Sequence, residues 1–491
     1  MEPISRRAAL TLGGLGVLST AVGGVGLSRQ LTSSSLDAAT GETFREPQVL
    51  RSADGALTVR LEATQGTHEV AGQQATTLGY NGGVPGPTLR LDPGDTLRVE
   101  LVNRLDDATN LHVHGLHVSP EGNGDNAFLT VGPGETQAYE HRIPADHPPG
   151  VYWYHPHHHG TVADQVFGGL YGAIVIDGPD PTPVTRERVL VVSDITLDGA
   201  GRIVGPSVME QMMGREGDLV LVNGQAEPAL AARHGDRERW RVVNACSSRY
   251  LALRLDGQGV QVAGRDQGAL ATARRLEDVT LAPGNRAELL VDAREGRSEL
   301  VAVPVDRGGM MGQMMGPGNV GGDGPVTLAR FTVSGANAES GATPSPPTPS
   351  RRDVRDLREA DVTSRRLLVF QTGMGGGMMG GDGPTSFTID GREFDPDRVD
   401  QEVRVGSVEE WTIRNDSPMD HPFHLHVWPM QVVEAGGALV DPPLWLDVVN
   451  VPAREQVRVR VAFDDFGGRT VYHCHILDHE DRGMMGSVRA R

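Results

Sequence analysis

The sequence predicts an all-β protein made of three consecutive β-sandwich domains, and three observations carry that prediction. From Phe44 onward, short alternating stretches such as Leu57-Thr58-Val59-Arg60-Leu61-Glu62 and Thr96-Leu97-Arg98-Val99-Glu100-Leu101-Val102 are separated by Gly, Pro, Asn and Asp turns. Their period is that of half-buried strands, not of amphipathic helices. Glycine, at 64 of 491 residues, is nearly twice its average share of about 7%, which favours a turn-rich chain. A loose pattern also recurs three times, about 150 residues apart, too far for a solenoid and right for domains. Each copy has an Asn-Gly or Asp-Gly turn (Asn81-Gly82, Asn223-Gly224, Asp390-Gly391) and a later strand that ends in Asn103, Asn244 or Asn415. The domains are expected at residues 45–180, 185–335 and 360–491. A linker at 336–359 includes part of the Ser-, Pro-, Thr- and Gly-rich run from Gly335 to Arg352.

The N-terminal segment, 1–35, is an address and not part of the fold. Ser5-Arg6-Arg7-Ala8-Ala9-Leu10 resembles a twin-arginine export signal, and a glycine-diluted apolar stretch from Leu10 to Leu27 follows. That stretch is barely long enough to span a bilayer. The expected product is periplasmic, cell-envelope-bound or secreted, a monomer with no stable membrane insertion once the signal is removed. The formal charge of −19 argues against nucleic acid or anionic membrane as a partner. All basic residues are arginine, for which the sequence offers no functional account. Two cysteines, Cys246 and Cys474, cannot form a disulfide framework.

The chemistry lies in four histidine clusters: His112-Val113-His114, His155-Pro156-His157, His421-Pro422-Phe423-His424-Leu425-His426, and His473-Cys474-His475 with His479 and Met484 beyond it. On a strand, residues i and i+2 project from one face, so each His-x-His pair aims two imidazoles at one place. The four pairs 112/114, 155/157, 424/426 and 473/475 supply eight imidazoles, more than one ion can use, and a cluster of about three metals fits. A lone pair of this kind is often just a solvent-facing strand. Four of them are not. Cys474 then faces the opposite side of its strand, toward His421, His479 and Met484. Two imidazoles, a thiolate and a weak thioether are the ligand set of blue-copper electron-transfer sites. A free cysteine is usually a small buried apolar residue, and Cys246, without histidine neighbours, is read that way.

In these motifs and their order the chain, from about Phe44 to Met485, resembles the multicopper oxidases, which include laccases and bacterial copper-efflux oxidases. The resemblance implies three cupredoxin-type Greek-key β-sandwich domains, four coppers per chain, and reduction of dioxygen to water with electrons from a small reductant. It places a type 1 copper on His421, Cys474, His479 and Met484, and a type 2 copper on His112 and His424. Two type 3 coppers would take His114, His155 and His475, and His157, His426 and His473. The middle domain would carry no copper. An acid follows the last histidine ligand in the family, and here it is Glu480. Asp125, in an Asp-Asn loop where the family usually has Asp-Gly, is the second candidate proton carrier; the bland reading of both is a loop carboxylate.

Ten of the fifteen methionines fall in three Gly-rich patches, at 209–213, 310–315 and 374–379, and thioethers suit Cu(I). The reductant is therefore expected to be Cu(I) or a phenol. Phenols would need only an exposed edge of His421 or His479. Asp416 and Asp420 would be the last stations for a cuprous ion, the alternative for Asp420 being that it only orients the His421 imidazole. His68, His117, His141, His147 and His234 are expected at the surface or behind the ligands, and His158 and His159 outside the ligand set. The alternative to an oxidase is a copper-free cupredoxin scaffold of the cell envelope. Ligand retention discriminates the two, and all twelve ligand positions hold the expected residue type.

Overall fold

A computed structural model describes residues 38–178, 182–308, 324–336, 355–373 and 386–491. The export signal, most of the linker and the methionine patches at 310–315 and 374–379 lie outside the described residues. The ordered elements of the described chain are mostly β-strands with a few short helices, arranged as six sheets that form three sandwiches. In the first, Ala56–Val70 buries Leu57, Val59, Leu61 and Ala63 on one face, as its alternation requires. It pairs in parallel with Thr96–Arg104 and antiparallel with Gln73–Tyr80. The facing sheet runs Val49–Arg51, Thr88–Leu91, Gly172–Ile176, Gly150–His155, His112–His114. The third sandwich has the same plan. One sheet is built around Ser407–Asn415 and Gln456–Phe463, and the other runs Gln401–Val403, Met485–Ala490, Gly468–Cys474, His421–Leu425, Val448–Val451. The middle sandwich packs its own core around Trp240, Leu289 and Phe331.

The threefold pattern has a physical basis. Asn81, Asn223 and Asp390 have φ of 51°, 53° and 55°, and the glycines after them are also at positive φ. This is the left-handed pair that a tight two-residue hairpin turn demands. Each side-chain oxygen accepts the backbone N–H of Glu62, Val191 or Val369. The strand-ending asparagines tie down loops. Asn415 donates to the carbonyls of Met419 and Val451, which fixes the approach to His421. Cys246 is buried in the middle core and Cys474 in the third, and both are free thiols.

Candidate metal centres

Register assembles the sites. His112 lies opposite His155 and His114 opposite Trp153 in an antiparallel pair. In the third sandwich His424 lies opposite His473 and Phe423 opposite Cys474. Directly opposed residues share a face, so the histidines collect on one side of the strand pair and Cys474 on the other.

The larger site joins the first and third sandwiches. His112, His114, His155, His157, His424, His426, His473 and His475 are all buried, and His114 stacks on His424 at 4.0 Å and His112 on His426 at 3.9 Å. Their hydrogen bonds to acceptor-only groups set which nitrogen carries the proton. Nδ1–H of His155 donates to the Pro156 carbonyl (2.8 Å), that of His424 to the Asp447 carbonyl (2.8 Å), and that of His473 to the Cys474 carbonyl (3.0 Å). His112 Nδ1 meets Asp125 at 2.8 Å, and His114 turns the other way, with Nε2 3.1 Å from Asp447 Oδ1. The remaining nitrogens are bare and converge. His424 Nε2 lies 3.4 Å from His112 Nε2, His155 Nε2 3.5 Å from His114 Nδ1, and His473 Nε2 3.1 and 3.2 Å from His157 and His426 Nε2. Burial and the neighbouring rings hold these imidazoles well below the usual histidine range. Protons are thus disfavoured between converging lone pairs. Cations bound by neutral imidazole fit this donor set.

The smaller site lies across the strand. Cys474 Sγ is 3.4 Å from His421 Nδ1 and 3.9 Å from His479 Nδ1, and the two nitrogens are 3.3 Å apart. Met484 is fully buried beside them, and its carbonyl accepts the Cys474 N–H at 3.0 Å. His479 comes from the short helix Leu477–Asp481 and donates Nε2–H to the Met212 carbonyl at 3.1 Å. His421 donates Nε2–H to the Ser417 hydroxyl at 2.8 Å, and that hydroxyl donates onward to Met419 O. Both rings therefore turn bare Nδ1 atoms toward the sulfur. Burial pushes the Cys474 thiol well up, so a thiolate here calls for a bound cation.

Several expectations are corrected. The edges of His421 and His479 are not exposed; both rings are at 0%, because Ser417 and the helix Val208–Met213 close over them. The Asp420 carboxylate does not orient His421 but accepts from Asn450 and the Ala453 N–H, and Asp416 is paired with Arg414. His68, His141 and His147 are buried and not at the surface, whereas His234 is exposed as expected and His158 and His159 are half-buried. His117 bridges the first and third sandwiches, with Nδ1 on the Val427 carbonyl (2.7 Å) and Nε2 on Asp465 (2.8 Å).

Both predicted acids sit at the larger site. Asp125 contacts His112 and accepts the Val113 N–H, and burial pushes its carboxyl up to about 7. Glu480 is fully buried, with Oε2 3.0 Å from His473 Nδ1 and Oε1 3.4 Å from His157 Nε2. Among the described residues neither oxygen has an aligned donor, since the His473 N–H is directed at the Cys474 carbonyl. Burial pushes Glu480 up to about 7. Sequence reasoning missed Asp447, Ser417 and the Met212 carbonyl. No local motif marks Asp447, and only its contacts reveal it.

Comparison with known proteins identifies the family. Multicopper oxidase family models match residues 62–181, 187–301 and 371–491. The chain is 28% identical to "Multicopper oxidase mco" of Staphylococcus haemolyticus over 84% of each chain. It is 27% identical to "Cell division protein FtsP" of Edwardsiella tarda, over 90% of this chain and 91% of that one. Among solved structures, the multicopper oxidase of Campylobacter jejuni, described as a metallo-oxidase, superposes with a TM-score of 0.78 at 30% identity. That match covers 92% of this chain and 95% of the other. The chain therefore belongs to the multicopper oxidase family and is a copper-dependent oxidoreductase that uses oxygen as its acceptor.

Proposed function

We propose that this chain holds four coppers and oxidises a small reductant, with Cu(I) the substrate its geometry favours over phenols. The carrying observation is the convergence of bare imidazole nitrogens on both sides of one strand, with Cys474 joined directly to His473 and His475. His421, Cys474, His479 and Met484 hold the type 1 copper, and His112 with His424 the type 2 copper. His114, His155 and His475 hold one type 3 copper, and His157, His426 and His473 the other. When bound, the coppers supply one-electron uptake at the thiolate site and four-electron reduction of dioxygen to water at the cluster. Cys474 is the covalent link by which electrons pass from one site to the other. Glu480 holds a proton at a carboxylate oxygen beside His473 and His157, and Asp125 fixes the His112 ring and serves as a second proton station.

The substrate reading rests on closure. With both imidazole edges buried, an aromatic ring cannot stack against them. Next to the Met212 carbonyl, on the same short helix, Met209 is 47% exposed, placed to meet a soft ion. The Campylobacter relative, a metallo-oxidase by its description, agrees with a metal-ion substrate. The FtsP relative keeps the copper-free scaffold as the competing reading; the complete and convergent donor set favours the oxidase. The test is a variant with the methionines at 209, 310–315 and 374–379 changed to Ser. Apparent Cu(I) affinity should fall several-fold while phenol or dye oxidation is unchanged or improved. Equal Cu(I) kinetics in variant and parent would reject the cuprous reading and leave a laccase-type oxidase. Export by the 1–35 segment would be tested separately, by signal-dependent appearance outside the cytoplasm.

A further inference from the structure

The middle sandwich contributes none of the proposed copper ligands, yet one of its turns reaches the larger site. Gly284, at φ +86°, lies so close to the ligands that a Cβ built on it would meet His475 Nε2 at 2.9 Å and His114 Cε1 at 3.0 Å. Two residues on, Arg286 is fully buried. Its two terminal nitrogens grip Asp447 Oδ1 and Oδ2, each at 2.6 Å, and its Nε donates to the Val151 carbonyl of the first sandwich at 3.2 Å. Gln267 Nε2 adds a bond to Asp447 Oδ2 at 2.7 Å. Asp447 passes this order on in two directions. Its side chain takes the His114 Nε2–H at 3.1 Å, and its backbone carbonyl takes the His424 Nδ1–H at 2.8 Å.

From this arrangement we infer that Asp447 is a positioning residue for the larger copper site, held in place by Arg286 and Gln267 of the middle sandwich. The inference rests on the copper assignment of His114 and His424 proposed above. Asp447 selects the ring nitrogen that each histidine presents. His114 gives its Nε2–H to the carboxylate and so offers Nδ1, whereas the other hydrogen-bonded rings of the site offer Nε2. The carboxylate is in turn fixed by a bidentate guanidinium, the geometry that best locks a planar acid. The middle sandwich therefore sets ligand geometry in its two neighbours through one buried acid. Groups of this kind, behind metal-ligating histidines, commonly account for about 10–100-fold in metal affinity.

The experiment must avoid leaving one charge buried alone, which by itself can unfold a protein. The double change Asp447→Leu with Arg286→Leu removes that pair together, and with it the His114 acceptor; the buried Asp266, 3.6 Å from Arg286, keeps its bonds from the Asn285 side chain and the residue-286 backbone N–H. Parent and variant are loaded with copper and titrated with a competing chelator, following copper content by metal analysis and paramagnetic copper by EPR. The blue absorption of the thiolate site is the internal control. The expected result is retained blue colour, with copper of the larger site released at about 10–100-fold lower chelator concentration. Restoring only an oxygen acceptor, by Asp447→Asn with Arg286→Leu, should recover part of that loss. Parental chelator resistance and parental EPR in the double Leu variant would overturn the inference. If that variant does not fold, Gln267→Leu decides: earlier copper release supports the inference, and release identical to the parent overturns it. A parent that binds no copper at the larger site would instead refute the copper assignment.

Discussion

Replacing Glu480 with Gln tests the proton supply of the larger site. The change conserves shape and removes the titratable oxygen. In the parent, the fully buried carboxyl lies beside His473 and His157 with no aligned donor among the described residues, and burial pushes it up to about 7. At neutral pH it is therefore protonated in about half the molecules, whereas a carboxyl near its ordinary 4.5 would be protonated in roughly one in three hundred. The burial of this one group thus raises the population of the proton-bearing form by about two orders of magnitude. A general acid so placed is worth about 10²–10⁴ in rate, and the Gln variant should lose turnover by that factor. The assay compares steady-state oxygen consumption with anaerobic reduction of the blue copper by the same substrate. Only the first should fall, because the Glu480 carboxylate faces His473 and His157 and not His421 or the ring of His479. The sign of the pH effect follows. Below about 7 the parent carries the proton, so its activity declines as pH rises through that value, and the variant lacks this alkaline limb. Unchanged turnover in Glu480→Gln, or the same alkaline limb in its pH profile, would refute the assignment.

Cys474→Ser should abolish the blue colour and the activity while circular dichroism stays native, because three separate cores support the fold; a blue variant would remove Cys474 from the ligand set. Met484→Leu exchanges side chains of similar volume in a fully buried position, so stability should change by less than about 1.5 kcal/mol. The protein should remain blue, with a higher copper potential by redox titration, since a donor that favours Cu(II) is lost; a colourless variant would contradict the axial role. At the seam between the first and third sandwiches, burial opposes a charged His117, but the Asp465 carboxylate and the Val427 carbonyl outweigh it and raise the ring above its ordinary 6.5. Its stabilisation is complete below 6.5 and is lost as pH rises through the raised value. Asp465 is 44% exposed, so the contribution is less than about 1 kcal/mol. His117→Gln should flatten that part of the stability–pH curve, measured by denaturant unfolding.

The parts of this protein legible in its sequence are those governed by local rules. The alternation of Leu57 to Glu62 and the asparagine turns at 81 and 223 each require only neighbouring residues, so their conformations follow from the chain itself. The same holds for His473-Cys474-His475. A period of two sends Cys474 away from its flanking histidines, and the observed pairing of Phe423 with Cys474 and of His424 with His473 follows that rule. Contacts between distant segments were not legible. The pair Arg286–Asp447 spans 161 positions and Met212–His479 spans 267; Arg286 lies in no motif, and Met212, though in a methionine patch, acts through its backbone carbonyl, which no side-chain pattern marks. The expected open edges of His421 and His479 failed because a ring's exposure depends on what packs over it: His479 is covered by the Met212 carbonyl of another domain, and His421 by Ser417 of its own.

The middle sandwich, which lies outside the histidine clusters, nevertheless holds the segments that carry them. Besides Arg286, it supplies Arg215, which is buried and bonds both carboxylate oxygens of Asp478, one residue before His479. Arg215 also reaches Asp164 of the first sandwich at 2.6 Å. From the third sandwich, Asp481 accepts the backbone N–H groups of Gly160, Val162 and Ala163 at the start of the helix Val162–Gly168. The segment that carries His475 and His479 is therefore held by domain 2 on one side and domain 1 on the other. Buried ion pairs of this kind add little net stability over apolar packing, but breaking one by removing a single partner costs about 3–5 kcal/mol. Their effect is to make one arrangement of the three domains far better than any other. That requirement is strict here, because the histidines of the larger site come from two domains and can converge only if those domains are docked in a single register. The aspartates and arginines at the seams and the histidines at the centre thus answer to the same demand, and the middle domain meets much of it.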